Sequence, residues 1–166
     1  PNRKEAATLC PGLSSVEEQA EYFLKKGIEA VIITLGEDGC YLKTDDTAKY
    51  YPAADFVSID ATGGADAFIS AFASYMSEGF SMDNAIRIAT YAAGFCVSRQ
   101  GVVPALVDRN TLETHISKVE PKLLREEMDF WYRGNPAELV AGLFHAREMT
   151  EEDKEQIRRA LDGLDD

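Results

Sequence analysis

The segment Asp60-Ala61-Thr62-Gly63-Gly64-Ala65-Asp66-Ala67-Phe68 restricts what this chain can fold into more than any other stretch. An extended apolar run, Phe56-Val57-Ser58-Ile59, leads into it, and a helical apolar run, Ala67 to Phe72, leaves it. A turn of small residues between a strand and a helix leaves backbone N–H groups exposed at the positive end of the helix, which is a ready anion site. Asp66 stands where those N–H groups converge. A bound anion would repel its carboxylate, so Asp66 is poorly suited to be a phosphate ligand. It is well suited to take a proton from a hydroxyl that attacks a phosphate held by the turn. The plainer alternative is an ordinary helix start, with Asp66 a first-turn carboxylate favoured by the helix dipole.

The surrounding pattern is that of a sheet with helices packed on it. Ser15-x-x-Glu18 is a capping box, and the helix it opens ends near Lys26 with Gly27 as its stop. Ala30-Val31-Ile32-Ile33-Thr34-Leu35 is almost wholly apolar and reads as a strand covered on both faces. Gly36-Glu37-Asp38-Gly39 turns the chain into a second strand, Cys40 to Lys43, and Tyr50-Tyr51-Pro52 marks a third. After the glycine turn, one helix is expected from about Ala65 to Ser77. A second begins at Ser81-x-x-Asn84 and runs to about Ser98. Its small residues Ala85, Ala89, Ala92, Ala93 and Gly94 allow close helix–sheet packing or a flat ligand. Arg99 to Pro104 is a loop.

A net charge of −12 over 166 residues argues against a nucleic-acid partner and against an anionic membrane surface. No apolar run is long enough to span a bilayer, and the first residues do not resemble a signal peptide, so a cytoplasmic location is expected. The three cysteines, Cys10, Cys40 and Cys96, are far apart and form no C-x-x-C pair, so reduced thiols are expected rather than a zinc or disulfide framework. The two histidines, His115 and His145, fall in helical patterns and read as surface or core-edge residues.

The glycine turn resembles the C-terminal signature D-[TS]-T-G-A-G-D-[AT]-F of the ribokinase-like (PfkB) family of sugar and nucleoside kinases, with Gly63-Gly64-Ala65 replacing Gly-Ala-Gly. Three further segments resemble family patterns in the same order. Asn2-Arg3-Lys4-Glu5 matches N-x-x-E, Val31 to Gly39 matches a strand ending in T-L-G-x-x-G, and Ser98 to Val102 is similar to T-R-x-G-A. The resemblance covers about residues 1–116 and implies a partial three-layer α/β ribokinase-like core that binds nucleotide and phosphate. It implies ATP and Mg2+, with K+ as a candidate monovalent cation, Asp66 as catalytic base and Gly63, Gly64 and Ala65 as the anion hole. Asn2, Thr34, Gly36, Gly39, Ala93, Ser98 and Gly101 would border the nucleotide. Glu5 would act on magnesium through water, and Asp60 and Thr62 would frame a monovalent cation. Ala65 carries a Cβ where the family has glycine, which matters if that position needs a positive φ.

Members of the family are longer, and only their ATP-side, C-terminal portion is matched. The expectation is therefore phosphotransfer to a sugar or nucleoside hydroxyl by a partial kinase. The alternative is a truncated, inactive nucleotide-binding or oligomerisation module. Few strands also mean an exposed sheet edge, to be covered by a second copy or a complementing chain. Residues 117–166 read as an all-helical extension. A helix is expected from Val119 to Trp131, another follows Pro136, and a last one runs from Glu151 to Leu164. The stretch from Gly134 to Leu161 is similar to the dimerisation segment of penicillinase-type repressors, although no winged-helix DNA reader accompanies it.

Overall fold

Short polar residues set where most of the helices begin. In the computed structural model, which describes residues 1–101, 103–124 and 155, helix α1 is Arg3–Leu9 and helix α2 is Val16–Leu24. Asn2 and Ser15 cap them, and each is answered by a glutamate three residues on, Glu5 and Glu18. Strands β1 (Ala30–Thr34), β2 (Cys40–Thr44) and β3 (Ala48–Tyr51) follow and form an antiparallel sheet in the order β1-β2-β3. Thr34 pairs with Cys40 across the Gly36–Asp38 3-10 turn. Helices α3 (Gly64–Ser77), α4 (Met82–Val97) and α5 (Arg109–Val119) complete the described part.

The sheet lies between two layers of helix. On one face Val31, Ile33, Leu35 and Tyr41 pack with Ala6 and Ala20 of α1 and α2. On the other, Cys40, Leu42 and Tyr51 pack with Phe68, Ile86 and Ala89 of α3 and α4. Fully buried isoleucines such as Ile33 and Ile86 contribute about 1.5–3 kcal/mol each. A third cluster joins Tyr75, Ile88 and Ala92 to Leu112, Ile116 and Leu123, and it belongs to a compact unit running Pro1–Leu124. Among the described residues, the outer side of β1 carries a single parallel bridge, Thr34 to Asn2, with the Thr34 N–H donating to the Pro1 carbonyl at 3.0 Å.

Two expectations change. Phe56-Val57-Ser58-Ile59 is not a strand. The Phe56 ring instead lies against Phe95 and His115, at centroid distances of 4.9 and 5.4 Å, and fills the space beside Gly94. The Ile59 N–H is spent on the Val97 carbonyl rather than on a neighbouring strand. The helix expected from Val119 starts later. α5 ends at Val119, Glu120 leaves helical geometry at φ −143°, and a new helical stretch begins at Pro121. A residue before proline is pushed out of the helical region, which explains the break. The remainder of the helical extension, including His145 and the repressor-like stretch, lies outside the described residues. No helix among the described residues is long and apolar enough to cross a membrane.

Candidate functional site

The chain reaches the glycine turn held at several points. The N–H groups of Ile59 and Asp60 both donate to the Val97 carbonyl, at 2.7 and 3.1 Å. The Asp60 carboxylate accepts the Thr62 N–H on one oxygen at 3.0 Å and the Gly101 N–H on the other at 3.4 Å. These donors, the Thr62 side chain first, hold its carboxyl below the ordinary aspartate range. Beneath the turn the buried Cys96 thiol donates to the Thr62 carbonyl at 3.6 Å. Burial first, then the charges of Asp60 and Asp66, push that thiol up and keep it protonated.

Gly63 then turns the chain at φ +82°, in the left-handed region that glycine occupies without steric cost, and serves as the N-cap of α3. A glycine has no side chain to accept from the first N–H groups, and no side-chain cap is present. Helices α1, α2, α4 and α5 are each capped by a side chain: Asn2 on α1, Ser15 on α2, Ser81 on α4 and Asp108 on α5. The Gly64 N–H makes a long bond to the Ala61 carbonyl at 3.4 Å, and the start of α3 keeps the Ala65 and Asp66 N–H groups without a side-chain cap at the positive end of its dipole, a combination that favours an anion. Asp66 stands in the first turn with its side chain exposed, and Ala65 beside it is exposed too. The positive φ falls on Gly63, and Ala65 lies within the helix, so its Cβ meets no backbone obstacle.

The remaining predicted residues form two groups. Asn2, Glu5, Thr34, Gly36 and Gly39 gather at one end of the sheet. The Asn2 side chain accepts the Glu5 N–H at 2.9 Å, and the Glu5 carboxylate accepts the Asn2 N–H at 2.8 Å. Arg3 pairs with Asp38 of the Gly36–Asp38 turn at 2.7 Å. Gly39 closes that turn at φ +87° beside the Tyr51 carbonyl. The second group holds Asp60 to Asp66, Ser98 and Gly101, gathered at the last turn of α4. Ala93 is half-buried on α4 and packs on the same apolar cluster as Cys40 and Phe68, which ties the two groups to one core.

Sequence reasoning missed Val97 and Cys96, because neither has a motif and both act through contacts across more than thirty residues. It also missed an open cleft of about 390 Å3 lined by Phe95, Asn110, Thr111, Thr114, His115 and Lys118. Among the described residues no group of three or more histidines, cysteines or carboxylates converges.

A sequence profile of the pfkB family carbohydrate kinases matches residues 1–109. The 1-phosphofructokinase of Haloferax volcanii is 36% identical over 121 residues, covering 70% of this chain and 40% of that protein. Ribokinase from Thermotoga maritima has a crystal structure that aligns with a TM-score of 0.68 at 32% identity, over 70% of this chain and 41% of the other. The Arabidopsis thaliana ribokinase, in complex with ribose and ATP, aligns with a TM-score of 0.63 at 28% identity, over 69% of this chain and 38% of its own. The chain thus spans about two fifths of the length of these relatives.

Proposed function

Since this chain belongs to the pfkB family of carbohydrate kinases, we propose that it takes part in ATP-dependent phosphoryl transfer to a hydroxyl of a sugar or nucleoside-like substrate. The observation that carries this reading is the start of α3, which lacks the side-chain cap that α1, α2, α4 and α5 carry and has an exposed carboxylate in its first turn. The Gly63–Ala65 backbone holds the transferred phosphate. Asp66 takes the proton of the acceptor hydroxyl, whose oxygen attacks the γ-phosphorus. The bond from phosphorus to the bridging oxygen breaks, and ADP leaves with that electron pair. Magnesium bound to the phosphates neutralises charge that develops on them. Glu5 would act on that ion through water, while Asn2, Thr34, Gly36, Gly39, Ala93, Ser98 and Gly101 would border the nucleotide. Asp60 and Thr62 frame a monovalent cation, Asp60 being already oriented by the Thr62 and Gly101 N–H groups.

A second reading is favoured by the share of the relatives that the chain spans, 40% of the Haloferax enzyme. In it these residues bind nucleotide, and transfer needs an acceptor pocket supplied by a further segment, a complementing chain or a second copy.

The test is calorimetric titration with magnesium and a non-hydrolysable ATP analogue, with potassium present, followed by transfer assays on a panel of sugars and nucleosides. Asp66→Asn is expected to spare analogue binding and to slow transfer by about 10²–10⁴-fold. Transfer by Asp66→Asn at the unaltered rate would remove Asp66 as the base. Binding without transfer by the parent chain selects the second reading. A folded chain that binds no analogue rejects both.

A further inference from the structure

The last turn of α4 makes four contacts with the glycine turn, and Val97 supplies two kinds of them. Its carbonyl, one of the acceptors a helix leaves unused at its C-terminal end, takes the N–H groups of both Ile59 and Asp60. Its side chain faces the first residue of α3. A Cβ built on Gly64 would stand 2.7 Å from Val97 Cγ1, so the valine methyl occupies the space that a side chain at position 64 would need. Next to it, the Cys96 thiol reaches the Thr62 carbonyl at 3.6 Å, and the Gly101 N–H, just past α4, reaches the Asp60 carboxylate at 3.4 Å. The turn is thus gripped before Gly63 by hydrogen bonds and after it by a methyl group.

We propose that Val97 is a positioning residue for the phosphate turn, its branched side chain setting how closely the start of α3 approaches α4. The inference rests on the proposed reading of that turn as the phosphate-binding element. Valine suits the task for a physical reason: two heavy atoms on Cβ leave one strongly preferred χ1 in a helix, so the methyl facing Gly64 is a stiff spacer. Alanine would leave a gap into which the first turn of α3 can slide, carrying the Gly64, Ala65 and Asp66 N–H groups with it. Isoleucine keeps the branch and the spacing.

The experiment compares the full chain with Val97→Ala and Val97→Ile, titrating each with two probes: magnesium plus a non-hydrolysable ATP analogue, and adenosine alone. Val97→Ala is expected to weaken the analogue by about tenfold, since small misplacements of binding groups are costly, and to leave adenosine within about twofold. Val97→Ile is expected to bind both probes as the parent does. Equal loss of both probes, no loss of either, or failure of Val97→Ile to restore the analogue would overturn the proposal.

Melting temperatures give a second readout that needs no nucleotide. Gly64→Ala is expected to lower the melting temperature in the parent and to lower it far less in the Val97→Ala background. Strict additivity of the two substitutions would show that the methyl does not set the spacing. If the parent chain binds neither probe while the coupling is present, the proposed function fails and the spacer role stands.

Discussion

Helices α1 and α3 begin in opposite ways. At α1, Asn2 and Glu5 exchange hydrogen bonds, so two of the exposed N–H groups are satisfied within the chain. At α3 the N-cap is Gly63, which has nothing to offer them. The same backbone physics therefore yields an anchor in one place and, in the proposed reading, a receptor in the other. What decides is whether a side chain answers the first donors. The two starts also differ in what holds them still. α1 is secured by residues three apart, with one longer-range bridge from Asn2 to Thr34. The α3 turn has local bonds as well, from the Thr62 N–H to Asp60 and from the Gly64 N–H to the Ala61 carbonyl, but more of its bonds come from the end of α4 and from Gly101, forty-one residues from Asp60. A turn that leaves its Ala65 and Asp66 donors uncapped takes much of its rigidity from neighbours.

The sharpest way to break this contrast is Gly63→Val. A β-branched residue forced into the left-handed region costs about 1–2 kcal/mol. Relaxation toward ordinary φ would also turn the donors away from the anion. Thermal unfolding should show the loss, and analogue binding should disappear. Gly63→Asn, whose side chain tolerates that region, should be milder in both assays. Retained binding in the valine variant would show that the left-handed turn is dispensable.

At the other helix, Asn2→Ala should cost about 1 kcal/mol, the usual worth of an N-cap, read in denaturant unfolding. Glu5→Gln sharpens the comparison, because glutamine can still accept the Asn2 N–H while carrying no charge. Its stability should stay close to that of the parent, and the magnesium dependence of analogue binding should weaken. If the magnesium dependence is unchanged, Glu5 is a cap and nothing more.

The smallest expected effect concerns acidification. Asp60 has its carboxyl held below the ordinary range by the Thr62 and Gly101 donors, so the stability it contributes is fully present above the unfolded-state value of about 3.9. It is lost as pH falls through the lowered folded-state value. The difference in stability between parent and Asp60→Asn should therefore be constant near neutrality and shrink in the acid range. A difference that is flat down to the acid limit would mean those hydrogen bonds do not favour the charged form.

Much of this was readable from residue order. The run Ala30 to Leu35 followed by Gly36-x-x-Gly39 marked β1 and its turn, Ser15-x-x-Glu18 marked α2, and Ser81 marked α4. Each of these signals is complete within a few residues. Asn2-x-x-Glu5 carries the same capping logic as Ser15-x-x-Glu18, yet it reads first as a magnesium-site motif, and helix α1 was hidden behind that. Asp108 and Thr111, with Leu112 and Ile116 one turn apart, likewise signal α5. Phe56 to Ile59 misleads for a deeper reason. An apolar run does not reveal whether its partner is a strand or, as here, the side of a helix. Val97 was illegible on the same ground, since its part depends on what the fold brings against it.

The placement of Phe56 against Gly94 has a consequence for inheritance. The ring fills the volume where any larger residue at 94 would put its Cβ. The two positions are therefore not separate letters. A change from glycine at 94 is tolerable only with a smaller or displaced residue at 56, and the loss of the ring at 56 releases 94 to vary. A lineage that alters one without the other would have to reshape the path by which the chain arrives at Asp60.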